Sequence, residues 1–368
     1  MKIFRATKKP VDKIFLGLTL TLLGLGFFIF SSASLGLLAS GTSFASVTLK
    51  QFAIGIVGGG IGTYILSRIH YPHLRKVAFL VFLSSMILTA LVLIPGIGLT
   101  HGGATRWLVV GGFSFQPAEF LKLGTVLYVA ALFSSRYMNP VHFKQGLLPL
   151  VIILTLVASL LVSQPDTGTI VVIGITIFAM YLAAGGSKLH AIIFALLGLI
   201  AFVALVLARP YIADRLITFL YPDRDAQGSG YQIKKAELAI GSGQITGRGF
   251  GQSIQKFNLL PEPVGDSIFA VAAEEWGFVG SVAIVLLFMF FTLRGLYLAA
   301  RAPDTFARLL AVGIVILIAS QSFINIGAML QLIPLSGVPL LFISQGGTAL
   351  LGALFGVGIV LNISRYRT

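Results

Sequence analysis

Four polar clusters interrupt a chain that is 57% hydrophobic and only 10% charged, and any chemistry must be sought among them. One carries a candidate reacting group. It reads Leu260-Pro261-Glu262-Pro263-Val264-Gly265-Asp266, runs into Ser267-Ile268-Phe269-Ala270, and continues to Glu274-Glu275-Trp276-Gly277. A carboxylate placed where a charged stretch enters an apolar one loses hydration, which raises its pKa toward that of a useful general base. Asp266 occupies that place. It also stands where a helix N-cap would stand, so a purely structural role is the competing reading. Glu274 and Glu275 lie two turns further on, where an unpaired charge is costly; they predict a partner cation or a protonated state.

The other clusters offer cations, donors and bends. Gly103-Ala104-Thr105-Arg106-Trp107-Leu108 is followed by Phe115-Gln116-Pro117-Ala118-Glu119 and Lys122. Glu119 and Lys122, three apart at a helix start, suit a local ion pair, and Arg106 beside Trp107 suits an interfacial anchor. In Gln164-Pro165-Asp166-Thr167-Gly168-Thr169, Asp166 reads first as a helix cap. The segment from Pro334 to Gly347 holds Gly337, Pro339, Ser344 and Gly346. It predicts a broken backbone, which at membrane depth is tolerated only where it is buried or lines a cavity.

The elements that must position these groups are membrane spans. A soluble domain carries roughly 25% charged residues, and no soluble fold of 368 residues hides this much apolar surface. Soluble enzyme, secreted domain and disordered chain are excluded. Cysteine is absent, which removes disulfides, thiolate metal sites and a cysteine nucleophile. Apolar stretches at 14–32, 51–67, 77–95, 118–134, 147–163, 168–185, 190–208, 267–293, 309–331 and 340–363 predict an all-α integral membrane protein of about ten transmembrane helices. With the N-terminus in the cytoplasm, the inner face collects sixteen cations, Lys2, Arg5 and Lys8 among them, against Asp12 and Asp304. The outer side, with ten charges of each sign, is neutral. The whole net charge of +14 therefore follows the positive-inside rule, places both termini in the cytoplasm, and needs no nucleic acid to explain it. Ser32-Ala33-Ser34 mimics a signal cleavage site; an uncleaved first helix keeps the span count balanced. The chain reads as one polytopic domain, 1–368, with residues 210–266 forming a long extracytoplasmic loop between spans seven and eight. That loop has twelve charges in 57 residues. Its run from Gln232 to Ile240 predicts an interfacial helix, with Ile233, Leu238 and Ile240 toward lipid and Lys234 and Lys235 toward headgroups.

Six patterns in order, on this ten-span background, resemble the SEDS family (shape, elongation, division and sporulation), its division branch more than its elongation branch. They are Gly103-Ala104-Thr105-Arg106-Trp107, Phe115-Gln116-Pro117-Ala118-Glu119 with Lys122, Gln164-Pro165-Asp166 with Gly168-Thr169, Gly228-Ser229-Gly230-Tyr231-Gln232, Leu260-Pro261-Glu262 with Asp266, and Ile343-Ser344 with Gly346-Gly347. The chain departs from the family at Gly265 and Ser267, where Thr and Phe are usual, and at Val264, Ala118, Leu341 and Gln345. The resemblance implies a peptidoglycan glycosyltransferase that polymerises lipid II at the outer face of the bacterial cytoplasmic membrane during cell division. A lipid II flippase and an elongation-type polymerase are the alternatives. By the same resemblance Asp266 is the catalytic base. Arg106, Lys122, Arg248 and Lys256 are expected to clamp the pyrophosphate, and Trp107, Gln116, Glu119, Glu262 and Ser344 to line the substrate site. The resemblance fixes no cofactor; a divalent cation (Mg or Mn) could share the clamping. The partners implied are a single-span class B penicillin-binding protein, other divisome proteins and membrane lipid.

Overall fold

The computed structural model describes residues 9–40, 47–49, 51–101, 104–110, 113–224, 228–257 and 259–367. Lys2, Arg5, Lys8 and Gly103 lie outside them. Among the described residues these α-helices run: α1 Lys13–Ser34, α2 Gly59–Arg68, α3 Pro72–Leu91, α4 Pro117–Phe133, α5 Leu147–Ser163, α6 Thr167–Ala183, α7 Lys188–Ala208, α8 Pro210–Leu220, α9 Ser229–Ser242, α10 Ile268–Ala300, α11 Thr305–Met329 and α12 Gly347–Ser364. A π-helical turn, Gln51–Gly58, leads into α2. The helix starts are written in the sequence. Asp12, Asp166 and Asp304 accept from the backbone N–H groups of Phe15, Thr169 and Ala307, and Pro72, Pro117 and Pro210 sit at first-turn positions that need no donor.

Among the described residues, seven helical segments are long and apolar enough to cross a membrane: Lys13–Leu38, Val47–Arg68, Pro72–Leu91, Lys188–Ala208, Ile268–Ala300, Thr305–Met329 and Gly347–Ser364. Helices α4, α5 and α6 have 17 residues each, at the short end of a spanning length. The centre of the bundle is α11 and α12, flanked by α4, α6 and α10. Helices α3 and α7 turn most of their apolar surface outward, as lipid-facing spans do.

Both ends of the chain meet on one face. Asp12 receives Arg294 Nε at 3.0 Å and Nη2 at 2.5 Å, and Arg367 Nη1 at 3.1 Å. The backbone N–H of Asp12 donates to Ser364 Oγ at 3.0 Å. Burial works against the Asp12 charge, but the Arg294 hydrogen bonds and charge prevail and hold its carboxyl below the usual range. On the same face Tyr71 Oη donates to Asp304 Oδ2 at 2.6 Å; burial and that carboxylate push the phenol upward.

Three features are absent from the sequence reading. A three-stranded antiparallel sheet, β1 Gly98–His101, β2 Ala104–Val110 and β3 Phe113–Phe115, stands between α3 and α4. A helix, α8, opens the interval 210–266 ahead of the helix foreseen at Gln232–Ile240, which runs as α9 from Ser229 to Ser242. Helix α10 is broken at Gly277, whose φ of 66° and ψ of −163° suit glycine alone. The backbone groups freed there are satisfied by the segment after α9. Arg248 and Gly249 N–H donate to the carbonyls of Glu274 and Glu275, and Phe278 and Val279 N–H donate to those of Gln244 and Ile245. A Cβ at Gly277 would lie 2.3 Å from the backbone nitrogen of Gly247, so the two chains touch only because both residues are glycine.

The structure also corrects the orientation of α9. Ile233 faces inward with Ala236 and Ala239 against α10, not toward lipid; Leu238 remains exposed. Three-residue spacing of small side chains permits the close packing. Lys234 pairs with Asp223 at 2.6 Å, and Lys235 lies over the Tyr231 ring.

Candidate active site

Asp266 ends a tight turn whose amides fold back on one carbonyl. Gly265 and Ser267 N–H both donate to Glu262 O, at 3.0 and 3.2 Å. Four contacts from three elements (α11, the segment before α12, and α9) then clamp the peptide around it. Asn325 Nδ2 of α11 donates to Asp266 O at 2.8 Å, Ser344 Oγ donates to Gly265 O at 2.8 Å, Gln345 N–H donates to Val264 O at 2.7 Å, and Gln232 Nε2 of α9 donates to Ser267 Oγ at 2.9 Å. Three of the four holds end on backbone atoms. Gly265 and Val264 contribute only backbone atoms to these holds, whereas Ser267 contributes its side chain. The cap reading fails for this residue, because Ser267 occupies the N-cap of α10 and makes no side-chain cap bond. For Asp166 it succeeds, with Thr169 Oγ1 donating to Oδ2 at 3.0 Å besides the amide.

The carboxylate of Asp266 opens on a pocket of about 80 Å³ lined by Arg215, Ser229, Gln232, Asn325, Ser336 and Gly337, with Ala328, Met329 and Leu335 as its apolar wall. Burial, and then the Glu262 carboxylate, push Asp266 up to about 6, against the pull of Arg215 and Arg106. The broken segment foreseen between Pro334 and Gly347 builds the far wall, with Gly337 at φ 68°. Ser344, a candidate substrate ligand by sequence, is buried and also accepts from Leu340 N–H at 2.9 Å, so it fastens that wall to the Asp266 turn.

The expected cations are not gathered together. Lys122 is 1% exposed, donates to Glu119 Oε1 at 2.8 Å and to Gln321, and so makes a buried tie between α4 and α11. Lys256 is 0% exposed and donates to Glu275 Oε1 at 2.7 Å, Ser32 Oγ at 3.0 Å and Gly251 O at 2.9 Å. Ser32 in turn donates to Glu275. Arg248 lies 3.6 Å from Glu274, whose carboxylate also accepts from Ser253 Oγ at 2.6 Å and Ile254 N–H at 3.0 Å. These contacts meet the demand of Glu274 and Glu275 for partners. They also mean that Lys122, Lys256 and Glu119 serve the interior of this structure and do not line the Asp266 pocket, because releasing one member of a buried pair strands the other. Arg106 on β2 donates from Nε to Gln164 O at 3.1 Å and from Nη2 to Pro165 O. It meets carbonyls and not Glu119, yet its charge reaches Asp266. Trp107 lies beside it on β2, opposite Leu99. Gln116 is the N-cap of α4 without a side-chain cap bond, and Glu262 is exposed at the turn.

Arg215 was missed. It lies on α8 with Nη1 3.3 Å from Leu335 O. A Cβ on Gly337 would come within 3.5 Å of its Nη2 and 3.8 Å of Asp266 Oδ2, so guanidinium and carboxylate flank the same glycine. The signal available in the sequence was its place on the run Pro210–Leu220, where it and Asp214 are the two charges among apolar residues.

Comparison with known proteins agrees with this architecture. Stage V sporulation protein E of Bacillus subtilis is 41% identical over 308 residues, covering 84% of each chain. A probable peptidoglycan glycosyltransferase FtsW of Trichlorobacter lovleyi is 35% identical over 353 residues, covering 96% of this chain and 93% of its own. Among solved structures, the rod shape determining protein RodA of Thermus thermophilus aligns with a TM-score of 0.71 at 27% identity over 97% of each chain. A chain of a peptidoglycan synthase complex, from work on the coordination of polymerization and crosslinking, aligns with a TM-score of 0.78, also at 27% identity, over 97% of this chain and 98% of its own. The family model FTSW_RODA_SPOVE, described as cell cycle protein, matches residues 13–368, and the chain therefore belongs to that family, the SEDS proteins.

Proposed function

We propose that this chain is a peptidoglycan glycosyltransferase of the FtsW type that polymerises lipid II, with Asp266 as its general base. The observation that carries the mechanism is a carboxylate free of helix-capping duty, raised to about 6, and held from three elements at the mouth of a pocket. Glycan extension transfers a sugar from a diphosphate-linked donor to a 4-hydroxyl. The acceptor oxygen forms the new bond to the anomeric carbon, its proton passes to Asp266, and the carbon–oxygen bond to undecaprenyl diphosphate breaks with the electron pair leaving on the diphosphate. The configuration inverts. A base of this kind contributes about 10²–10⁴-fold. The lipid-facing walls of α3 and α7 give the polyprenyl tail an apolar surface to lie against.

Charge sorting supports placing the Asp266 end at the outer face of the bacterial cytoplasmic membrane with both termini inside, and ten spans follow if α4, α5 and α6 also cross. Similarity to a chain of a synthase complex supports a transpeptidase partner of the class B type. No three His, Asp or Glu side chains gather into a dedicated metal site among the described residues, so a Mg or Mn ion taking part would arrive with the diphosphate. The test is direct: purified protein with its transpeptidase receives labelled lipid II, and glycan chains are resolved. Wild type should polymerise and Asp266→Asn should not, while both fold alike. Polymerisation by Asp266→Asn at the wild-type rate removes the base assignment, and transfer of lipid II between leaflets without chain growth favours the flippase.

A further inference from the structure

We propose that Arg215 is the cation that takes the donor's diphosphate in the Asp266 pocket; the proposal rests on the polymerase reading above. The first support is the state of the other cations. Lys122 and Lys256 are locked in interior ion pairs, Arg248 stands at Glu274, and Arg106 is tied to the carbonyls of Gln164 and Pro165. Arg215 alone among these five lines the pocket together with Asp266. Its guanidinium has five donors in a planar fork, and the one named contact, to Leu335 O at 3.3 Å, is to a neutral acceptor. A fork suits two phosphate oxygens at once, where an ammonium offers a point charge.

The second support is the arrangement around Gly337. Carboxylate and guanidinium approach the same empty Cβ position, at 3.8 and 3.5 Å, and no side chain stands there to separate them. Before reaction the negative charge of Asp266 partly neutralises Arg215. When the acceptor proton moves onto Asp266 that neutralisation ends. The full charge of Arg215 becomes available as the breaking bond delivers its electron pair to the diphosphate. Base and leaving group are thus coupled through one guanidinium, which is charge stabilisation aimed at the transition state. Ser229 and Gln232 of α9 add neutral donors on the same wall.

The experiment compares wild type, Arg215→Lys and Arg215→Gln in two assays. Lipid II turnover is measured across substrate concentrations, and thermal stability is measured with farnesyl diphosphate or with farnesol, which has the tail alone. Arg215→Gln should lose about 10- to 100-fold in kcat/KM, the value of a charge-assisted contact, and Arg215→Lys should fall between the two. Farnesyl diphosphate should raise the wild-type Tm more than farnesol does, and Arg215→Gln should erase that difference. If Arg215→Gln fails to fold, Arg215→Lys still decides, since it keeps the charge and should show a reduced diphosphate shift. Wild-type kcat/KM together with an unchanged diphosphate shift in the folded variants overturns the proposal. Loss of polymerisation in wild type itself would strike the polymerase reading, and the farnesyl diphosphate assay would still report on Arg215.

Discussion

The raised carboxyl of Asp266 makes the pH dependence of chain growth the sharpest probe of the site. With a value of about 6 in place of the ordinary 3.8, Asp266 is ~90% ionised at pH 7 and ~10% at pH 5. A base must be ionised to act, so the single-turnover rate should fall about tenfold across that interval. An unperturbed carboxylate would lose only ~6% over the same range. The direction of neighbouring effects is fixed by charge: Glu262→Gln should move the midpoint down and Arg215→Gln should move it up. Stability should move the other way from activity. A carboxylate whose folded-state value is raised costs stability as pH rises through about 6, and its contribution is fully favourable only below its unfolded value near 3.8. The span between the two values corresponds to about 3 kcal/mol at most. Asp266→Asn should therefore be inactive yet at least as stable as wild type at pH 8, with the advantage gone below about pH 4. The assay pairs rapid-quench polymerisation between about pH 5 and 8 with melting in detergent from about pH 3.5 to 8.5. A rate that stays level between pH 7 and 5, or an Asp266→Asn protein that melts earlier at pH 8, would refute the reasoning.

Three further outcomes follow from the same geometry. Lys256→Met should cost about 3–5 kcal/mol by stranding Glu275, while Lys256→Met combined with Glu275→Met should recover most of it; equal melting of single and double variants would remove the ion pair from the account. Gly277→Ala should abolish folded yield, because a Cβ would meet the Gly247 nitrogen at 2.3 Å on a backbone that disfavours any side chain; normal size-exclusion behaviour would contradict this. Tyr137→Cys and Tyr221→Cys, both at exposed positions of a cysteine-free chain, should label oppositely with an impermeant maleimide in intact cells: Tyr221→Cys reacts, Tyr137→Cys only after permeabilisation. The reverse pattern would invert the topology and the chemistry with it.

The spans were legible because each is a continuous apolar run, and Asp266 because a carboxylate at such a boundary has few reasons to be there. Other features left no such mark. The strand Ala104–Val110 is short and interrupts a glycine-rich stretch, so its alternation is too brief to outweigh a loop reading. The break at Gly277 is hidden inside an apolar run, where glycine is common in membrane helices. The fate of the cations was beyond reach for a different reason. Lys256 meets Ser32 across 224 residues and Lys122 meets Gln321 across 199, and no local spacing encodes such distances. Arg215 shows the same limit from the other side, since only the fold brings α8 to the turn before α10.

The Asp12 cluster has a consequence for how the molecule is made. Its carboxylate caps the first span, but the Arg294 guanidinium that neutralises it is translated 282 residues later. At about 5–20 residues per second, that gap lasts roughly 15 to 55 s. During this interval the N-terminal end of the leading helix carries a carboxylate with neither arginine yet synthesised. Lys9 and Lys13, translated alongside it, can hold its orientation meanwhile. Arg367 arrives last, when Lys9 Nζ also finds the Arg367 carbonyl at 2.9 Å. A ribosome that stalls before Arg294 therefore leaves the Asp12 end of the first helix without its guanidinium partner, whereas the Ser32 end can already meet Lys256 and Glu275.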